Sequence, residues 1–71
     1  MKLLVVDDDA DMLAVVGFAL RQAGFPVVSA NSYGTALNAF RTERPDLAIL
    51  DINLPGGSGF DLCDVLRKES N

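Results

Sequence analysis

The chain is poor in cysteine, in basic residues and in long apolar runs, and each shortage closes off a class of function. Cys63 is the single cysteine, which excludes an internal disulfide and any cysteine-based metal cluster. Its apolar neighbours mark it as a core thiol rather than a reactive one. No apolar segment approaches the ~20 residues of a membrane-spanning helix. Six basic residues face ten acidic ones, for a net charge of -4. Without a basic stripe, this segment lacks the electrostatic footprint of a binder of nucleic acid or anionic membrane. Met1-Lys2-Leu3 leads straight into an apolar stretch, lacking the long hydrophobic region and cleavage site of a signal peptide, which favours a cytoplasmic location. Linkers and low-complexity segments are also missing, as in a single soluble domain. At 71 residues the core is marginal, because chains below ~70–80 residues seldom bury enough apolar surface without a staple or a partner. The expectation is a chain that is incomplete or associates.

What is present is a set of short apolar runs that end in acids. Leu47-Ala48-Ile49-Leu50 runs into Asp51 and then the turn-forming Pro55-Gly56-Gly57-Ser58-Gly59. Leu3-Leu4-Val5-Val6 runs into Asp7-Asp8-Asp9. Continuous apolar runs of this length bounded by turn formers read as strands buried on both faces, as in a parallel sheet. The spacing predicts a first strand over Lys2–Val6 and a first helix over Ala10–Ala23, with Leu13, Val16 and Leu20 as its buried stripe and Gly24 as its stop. Phe25–Ala30 fits an edge strand, since Pro26 is tolerated only at a strand start or edge. Asn31 or Ser32 caps a second helix over Tyr33–Glu43, which buries Ala36, Leu37 and Phe40 and ends before Pro45. A third strand covers Leu47–Leu50. A third helix starts near Gly59 with Phe60, Cys63 and Leu66 on one face. Alternating strands and helices imply right-handed crossovers, a parallel sheet and helices on both of its faces, with strand order 2-1-3.

Ligands of such sheets gather at the carboxyl ends of the strands, where Asp7, Asp8 and Asp51 fall. Arg21, Arg41, Arg44, Arg67 and Lys68 lie at or beyond helix ends instead. Complementing a helix dipole, worth a few tenths to ~1 kcal/mol per charge, explains Asp9 and Asp11. It does not explain Asp7, Asp8 and Asp51 together, because clustered carboxylates repel unless a cation neutralises them. Lys2 sits at the wrong end of the first strand, roughly 15 Å away at strand rise. A divalent ion is the natural remedy, and a few carboxylates with retained waters suit Mg2+ completed by phosphate oxygens. An EF-hand is excluded although Asp7, Asp9 and Asp11 alternate suitably, since Met12 replaces the required glycine and Phe18 the bidentate glutamate. A P-loop is excluded because Phe60-Asp61 follows Gly59 where a lysine and a hydroxyl residue would be needed.

Val5-Val6-Asp7-Asp8-Asp9, Pro45-Asp46-Leu47-Ala48-Ile49-Leu50-Asp51 and Leu54-Pro55-Gly56-Gly57-Ser58-Gly59 together resemble the receiver domain of two-component response regulators. The resemblance spans the whole chain. It implies a flavodoxin-like, doubly wound α/β fold of strand order 2-1-3-4-5, of which this β-α-β-α-β-α segment represents the 2-1-3 part. It implies that Asp51 is the phosphoacceptor, taking a phosphoryl group from a sensor histidine kinase, a phosphotransfer protein or a small acyl phosphate. Mg2+ would then be held by the acidic pair Asp7 and Asp8, by Asp51 and by the backbone carbonyl of Asn53. The implied role is phosphorelay signalling, with transcription regulated through a domain outside this segment and no enzymatic turnover of its own. Met12 and Val15 on the first helix are the implied contacts with the phosphoryl donor.

Receivers also use a Ser/Thr and a Lys on two further strands, and these lie outside the chain. With strand three as an edge, Leu47, Ala48, Ile49 and Leu50 offer unpaired backbone to a second copy, so a homodimer or a swapped oligomer is expected if the chain stands alone, with the phosphorylation switch lost. Two rivals remain at this level. An aspartyl-phosphate phosphatase or phosphotransferase commonly wants an acid two residues after the nucleophile, where Asn53 stands. A purely structural, dimerising module would need no acceptor chemistry. Pro55, Gly56, Gly57 and Gly59 read as a turn, Tyr33 as a helix-start packing residue, and Arg41–Arg44 as a solvated helix end rather than a docking site.

Overall fold

A computed structural model of the chain describes residues 1–69. The elements run β1 (Leu3–Val6), α1 (Ala10–Gln22), β2 (Val27–Ala30), α2 (Tyr33–Glu43), β3 (Leu47–Leu50), β4 (Asn53–Leu54), β5 (Gly57–Ser58) and α3 (Gly59–Glu69). The first three strands form one parallel sheet in the order β2-β1-β3, as the alternation of elements requires. The register is in step across it, with Val6 opposite both Ala30 and Leu50. β1 is central and all four of its residues are buried, which is why it carries no polar position.

Successive strand residues point to opposite faces of the sheet, and the two faces are covered unequally. Leu4, Val6, Val28, Ala30, Ala48 and Leu50 pack with Ala36, Leu37 and Phe40 of α2 and with Leu62 and Leu66 of α3 into one core. On the other face, α1 packs on β1 and β2 and buries Leu3 and Val5. β3 is left out of that cover, so Leu47 is 53% and Ile49 42% exposed.

Local chemistry sets the helix ends. Asp9 is the N-cap of α1, its carboxylate accepting the N–H of Asp11 (2.9 Å) and of Met12 (3.3 Å). Ser32 caps α2 in a reciprocal box with Thr35, which settles the choice between Asn31 and Ser32. α2 ends at Arg44, held in the left-handed region at φ 49°. That conformation costs a side-chain-bearing residue ~1–2 kcal/mol. Arg44→Gly is therefore expected to raise stability by about 0.5–1 kcal/mol after the greater flexibility of unfolded glycine is set against it, read as a higher urea midpoint with an unchanged slope. Across the same end of the molecule, Arg41 grips Glu69 through Nε (2.9 Å) and a second guanidinium nitrogen (3.1 Å), tying α2 to α3. The hydrogen bond from Arg41 holds Glu69 below the usual carboxylate range. The contribution of this exposed pair is thus complete above the unfolded glutamate value and lost as pH falls through the depressed folded value. Glu69→Gln should flatten that acid limb of a pH-dependent denaturation series.

Several boundaries differ from the sequence reading, each for a local reason. β1 starts at Leu3, because the Lys2 amide is taken by the Asp46 carboxylate (2.7 Å). α1 ends at Gln22 with Ala23 as its cap. β2 starts at Val27, since Pro26 has no N–H for a ladder and only its carbonyl is used, by Leu3 (2.9 Å). The apolar stripe of α3 is also corrected. Gly59, Leu62 and Leu66 face the core, while Phe60 is 67% exposed and Cys63 is half-buried on the flank. Phe60 sits one position past Gly59 and is rotated about 100° from the buried line. The turn after Asp51 is more ordered than a loop, pairing Asn53 with Ser58 and Leu54 with Gly57 in an antiparallel hairpin. Among the described residues, no helix is long and apolar enough to cross a membrane.

Candidate functional site

The in-step register of β1 and β3 decides where the acids go. With Val6 opposite Leu50, the next residue of each strand leaves the sheet at the same edge. Asp51 donates its N–H to the Val6 carbonyl (2.9 Å) and Asp7 donates its own to Ala30 (3.1 Å). These are the last rungs of the sheet, so the backbone beneath both carboxylates is anchored while the side chains stand clear of it. Asp7, Asp8 and Asp51 each bring one carboxylate oxygen into a group lying within 4.8 Å of one another. Asp7 and Asp51 are half-buried and Asp8 is exposed. Asp7 is further oriented by accepting the N–H of Asp9 (3.0 Å).

The two other acids of this region take no part in the cluster. Asp9 is committed to capping α1, and Asp11 lies in the first turn of that helix, the dipole-complementing role read from the sequence. Asn53 is exposed and lines, with Asp8, Pro55 and Ser58, a shallow hollow of about 330 Å³ beside the acids. Met12 and Val15 are exposed on α1, 47% and 66%.

Three carboxylates this close repel one another, by roughly 1 kcal/mol per pair even at the dielectric of water. Lys2 and Arg41 do not offset this, being paired with Glu43 (3.1 Å) and Glu69 (2.9 Å). The donor set fits a small hard cation: carboxylate oxygens only, no nitrogen or sulfur, and an exposed side open to water and to phosphate oxygens. Asp7, Asp8 and Asp51 are the side chains that could hold Mg2+, and the hairpin bearing Asn53 adjoins them.

That hairpin is pinned at both ends, which the sequence reading did not foresee. At its base the Gly59 N–H donates to the Ile52 carbonyl (2.7 Å). A Cβ at Gly59 would overlap the Asp51 carbonyl oxygen, so only glycine lets α3 start against the backbone of Asp51. Ser58 then accepts the N–H of Asp61 (3.1 Å) and closes the first turn of α3. The Gly59 approach folds the helix start back on backbone only a few residues earlier in the chain, and the only signal of it in the sequence was a glycine standing just after a hydroxyl residue at a helix start.

Comparison with known proteins accords with this geometry. The model of the response regulator receiver domain family matches residues 3–71. The DNA-binding response regulator MtrA of Mycobacterium tuberculosis is 45% identical over 69 residues, covering 97% of this chain and 30% of MtrA. Among solved structures, the chemotaxis response regulator CheY4 of Vibrio cholerae superposes with a TM-score of 0.93 at 33% identity, over 97% of this chain and 57% of that one. The response regulator TrrA of Thermotoga maritima, solved in complex with Mg2+-BeF, superposes with a TM-score of 0.91 at 34% identity, over 96% of this chain and 59% of that one. TrrA has also been solved in complex with the histidine kinase ThkA. The chain belongs to the response regulator receiver domain family, whose members serve two-component signalling. It spans under a third of the length of MtrA and just over half of the receiver chains it superposes on.

Proposed function

We propose that this chain is the phosphoacceptor of a two-component pathway and that Asp51 is the residue phosphorylated. The observation that carries the reading is the convergence of Asp7, Asp8 and Asp51 within 4.8 Å at one sheet edge. In the proposed transfer an Asp51 carboxylate oxygen forms a bond to phosphorus as the P–N bond of a donor phosphohistidine breaks, its electron pair remaining on the imidazole. With acetyl phosphate the leaving group is acetate. Mg2+ at this site would offset the negative charge of the transferring group. Asp7 and Asp8 hold the cation, and the anchored backbone of Asp51 fixes its carboxylate for attack. TrrA's complex with Mg2+-BeF supports the metal, and its complex with ThkA supports a histidine kinase as donor.

In this reading the exposed Met12 and Val15 contact the donor, the site accepts phosphate without turnover, and the protein works in the cytoplasm. The relationship to MtrA supports transcriptional control as the output, exerted through a segment outside these residues. The test is intact-mass analysis after incubation with Mg2+ and acetyl phosphate. One phosphoryl adduct located on Asp51 supports the reading, and a folded protein that takes none under these conditions overturns it.

The exposed Leu47 and Ile49 on β3 favour a second proposal, that this strand edge pairs with another strand. Where the 71-residue chain stands alone, that strand comes from a second copy. Ile49→Lys should then shift a concentration-dependent dimer to monomer in light scattering, and a monomer at all concentrations for the unaltered chain would refute the pairing.

A further inference from the structure

We propose that Tyr33, at the start of α2, is a positioning residue for the metal site, clamping the hairpin that carries the Asn53 carbonyl. The inference rests on the acceptor reading above and adds to it an element from outside the two acid-bearing strands. Three contacts join Tyr33 to the tip of the hairpin. Its backbone N–H donates to the Pro55 carbonyl (3.0 Å). Its Cβ lies against the turn at Gly56, 3.5 Å from where a side chain there would begin. Its ring covers Gly57 so closely that a Cβ on Gly57 would stand 2.6 Å from a ring carbon.

The glycines have a reason to be there beyond turn formation. Gly56 has φ +90°, which the tight turn requires. Gly57 has no such φ, and it is the ring of Tyr33 that leaves no room for a side chain. The hairpin is thus held at its base by Gly59 against Asp51 and Ile52, and at its tip by Tyr33, with Asn53 between the two fixed points. The ring is itself half-buried against the core that contains Leu54, Leu37 and Phe40, so the clamp is backed by packed side chains rather than by solvent. Groups that orient metal ligands without touching the metal commonly alter affinity 10–100-fold when removed.

The chain contains one tyrosine and no tryptophan, so tyrosine emission reports on this contact alone. The experiment titrates Mg2+ into the 71-residue chain and into its Tyr33→Phe, Tyr33→Ala and Gly57→Ala variants, reading affinity by calorimetry and, where the tyrosine remains, its emission. Hydrogen exchange of the 53–58 segment is measured in parallel without metal. Tyr33→Phe keeps the ring and should bind Mg2+ as the unaltered protein does. Tyr33→Ala should bind about tenfold more weakly and exchange faster across 53–58. Gly57→Ala removes no buried atom, so it tests the clamp even if Tyr33→Ala fails to fold, and it should weaken Mg2+ binding with the fold intact. If the unaltered protein binds Mg2+ and both folded variants bind it within twofold, the clamp is refuted and the acceptor reading stands. If the folded, unaltered protein binds no Mg2+, the metal site falls and the clamp with it.

Discussion

Asp51→Asn is expected to abolish phosphorylation without weakening the fold. Asparagine keeps the shape of the side chain and its place at the last rung of β3, where the backbone N–H still reaches the Val6 carbonyl (2.9 Å). It removes the nucleophilic carboxylate, so no phosphoryl adduct should form with Mg2+ and acetyl phosphate under conditions that modify the unaltered protein. It also removes one of three like charges lying within 4.8 Å of one another. Without metal, losing both like-charge pairs of Asp51 should raise stability by about 2 kcal/mol, at roughly 1 kcal/mol per pair. Denaturation with and without Mg2+ separates the two effects, since the cation stabilises the unaltered protein in proportion to its binding and should do so far less for the variant. An adduct persisting on Asp51→Asn would place the acceptor elsewhere.

The second large effect is expected in α3. Leu62 is completely buried against the β1, β3 and α2 side chains of the core, whereas Phe60 on the same helix is two-thirds exposed. Leu62→Ala should cost about 2–5 kcal/mol through lost burial and the cavity left behind. Phe60→Ala should stay within ~0.5 kcal/mol, as for surface substitutions. In a chain this short the first figure is comparable to the whole stability, so Leu62→Ala should be largely unfolded by circular dichroism at 25 °C. Equal costs for the two would mean that α3 is rotated from the orientation described above.

The contrast between these two residues marks where sequence reasoning ran out. The strands were legible because Leu3–Val6 and Leu47–Leu50 are uninterrupted apolar runs closed by acids, a pattern with few structural solutions. The strand order followed from the alternation of elements. The end of α2 was legible because Pro45 forbids helix at the residue before it. For α3 the pattern was ambiguous, since Phe60, Leu62, Cys63, Val65 and Leu66 allow two apolar stripes that differ by a fraction of a turn. Hydrophobicity favours the one with phenylalanine, while packing chose the one that starts at Gly59, where the absence of a side chain lets the helix approach Asp51. Tyr33 was legible as a packing residue at a helix start, but its partners Pro55, Gly56 and Gly57 were not, because nothing local links the two segments.

By itself, then, the sequence determined the succession of strands and helices, the central place of β1 and the delivery of acids to the carboxyl ends of two strands. These depend on local patterns of burial, turn chemistry and the handedness of crossovers, which a linear chain already contains. Only the tertiary structure decided that Asp7, Asp8 and Asp51 close into one group within 4.8 Å and that the Asn53 hairpin is held between Gly59 and Tyr33. Those outcomes depend on register and on contacts between distant segments. A parallel pair one residue out of step would have turned the Asp51 side chain to the opposite face of the sheet.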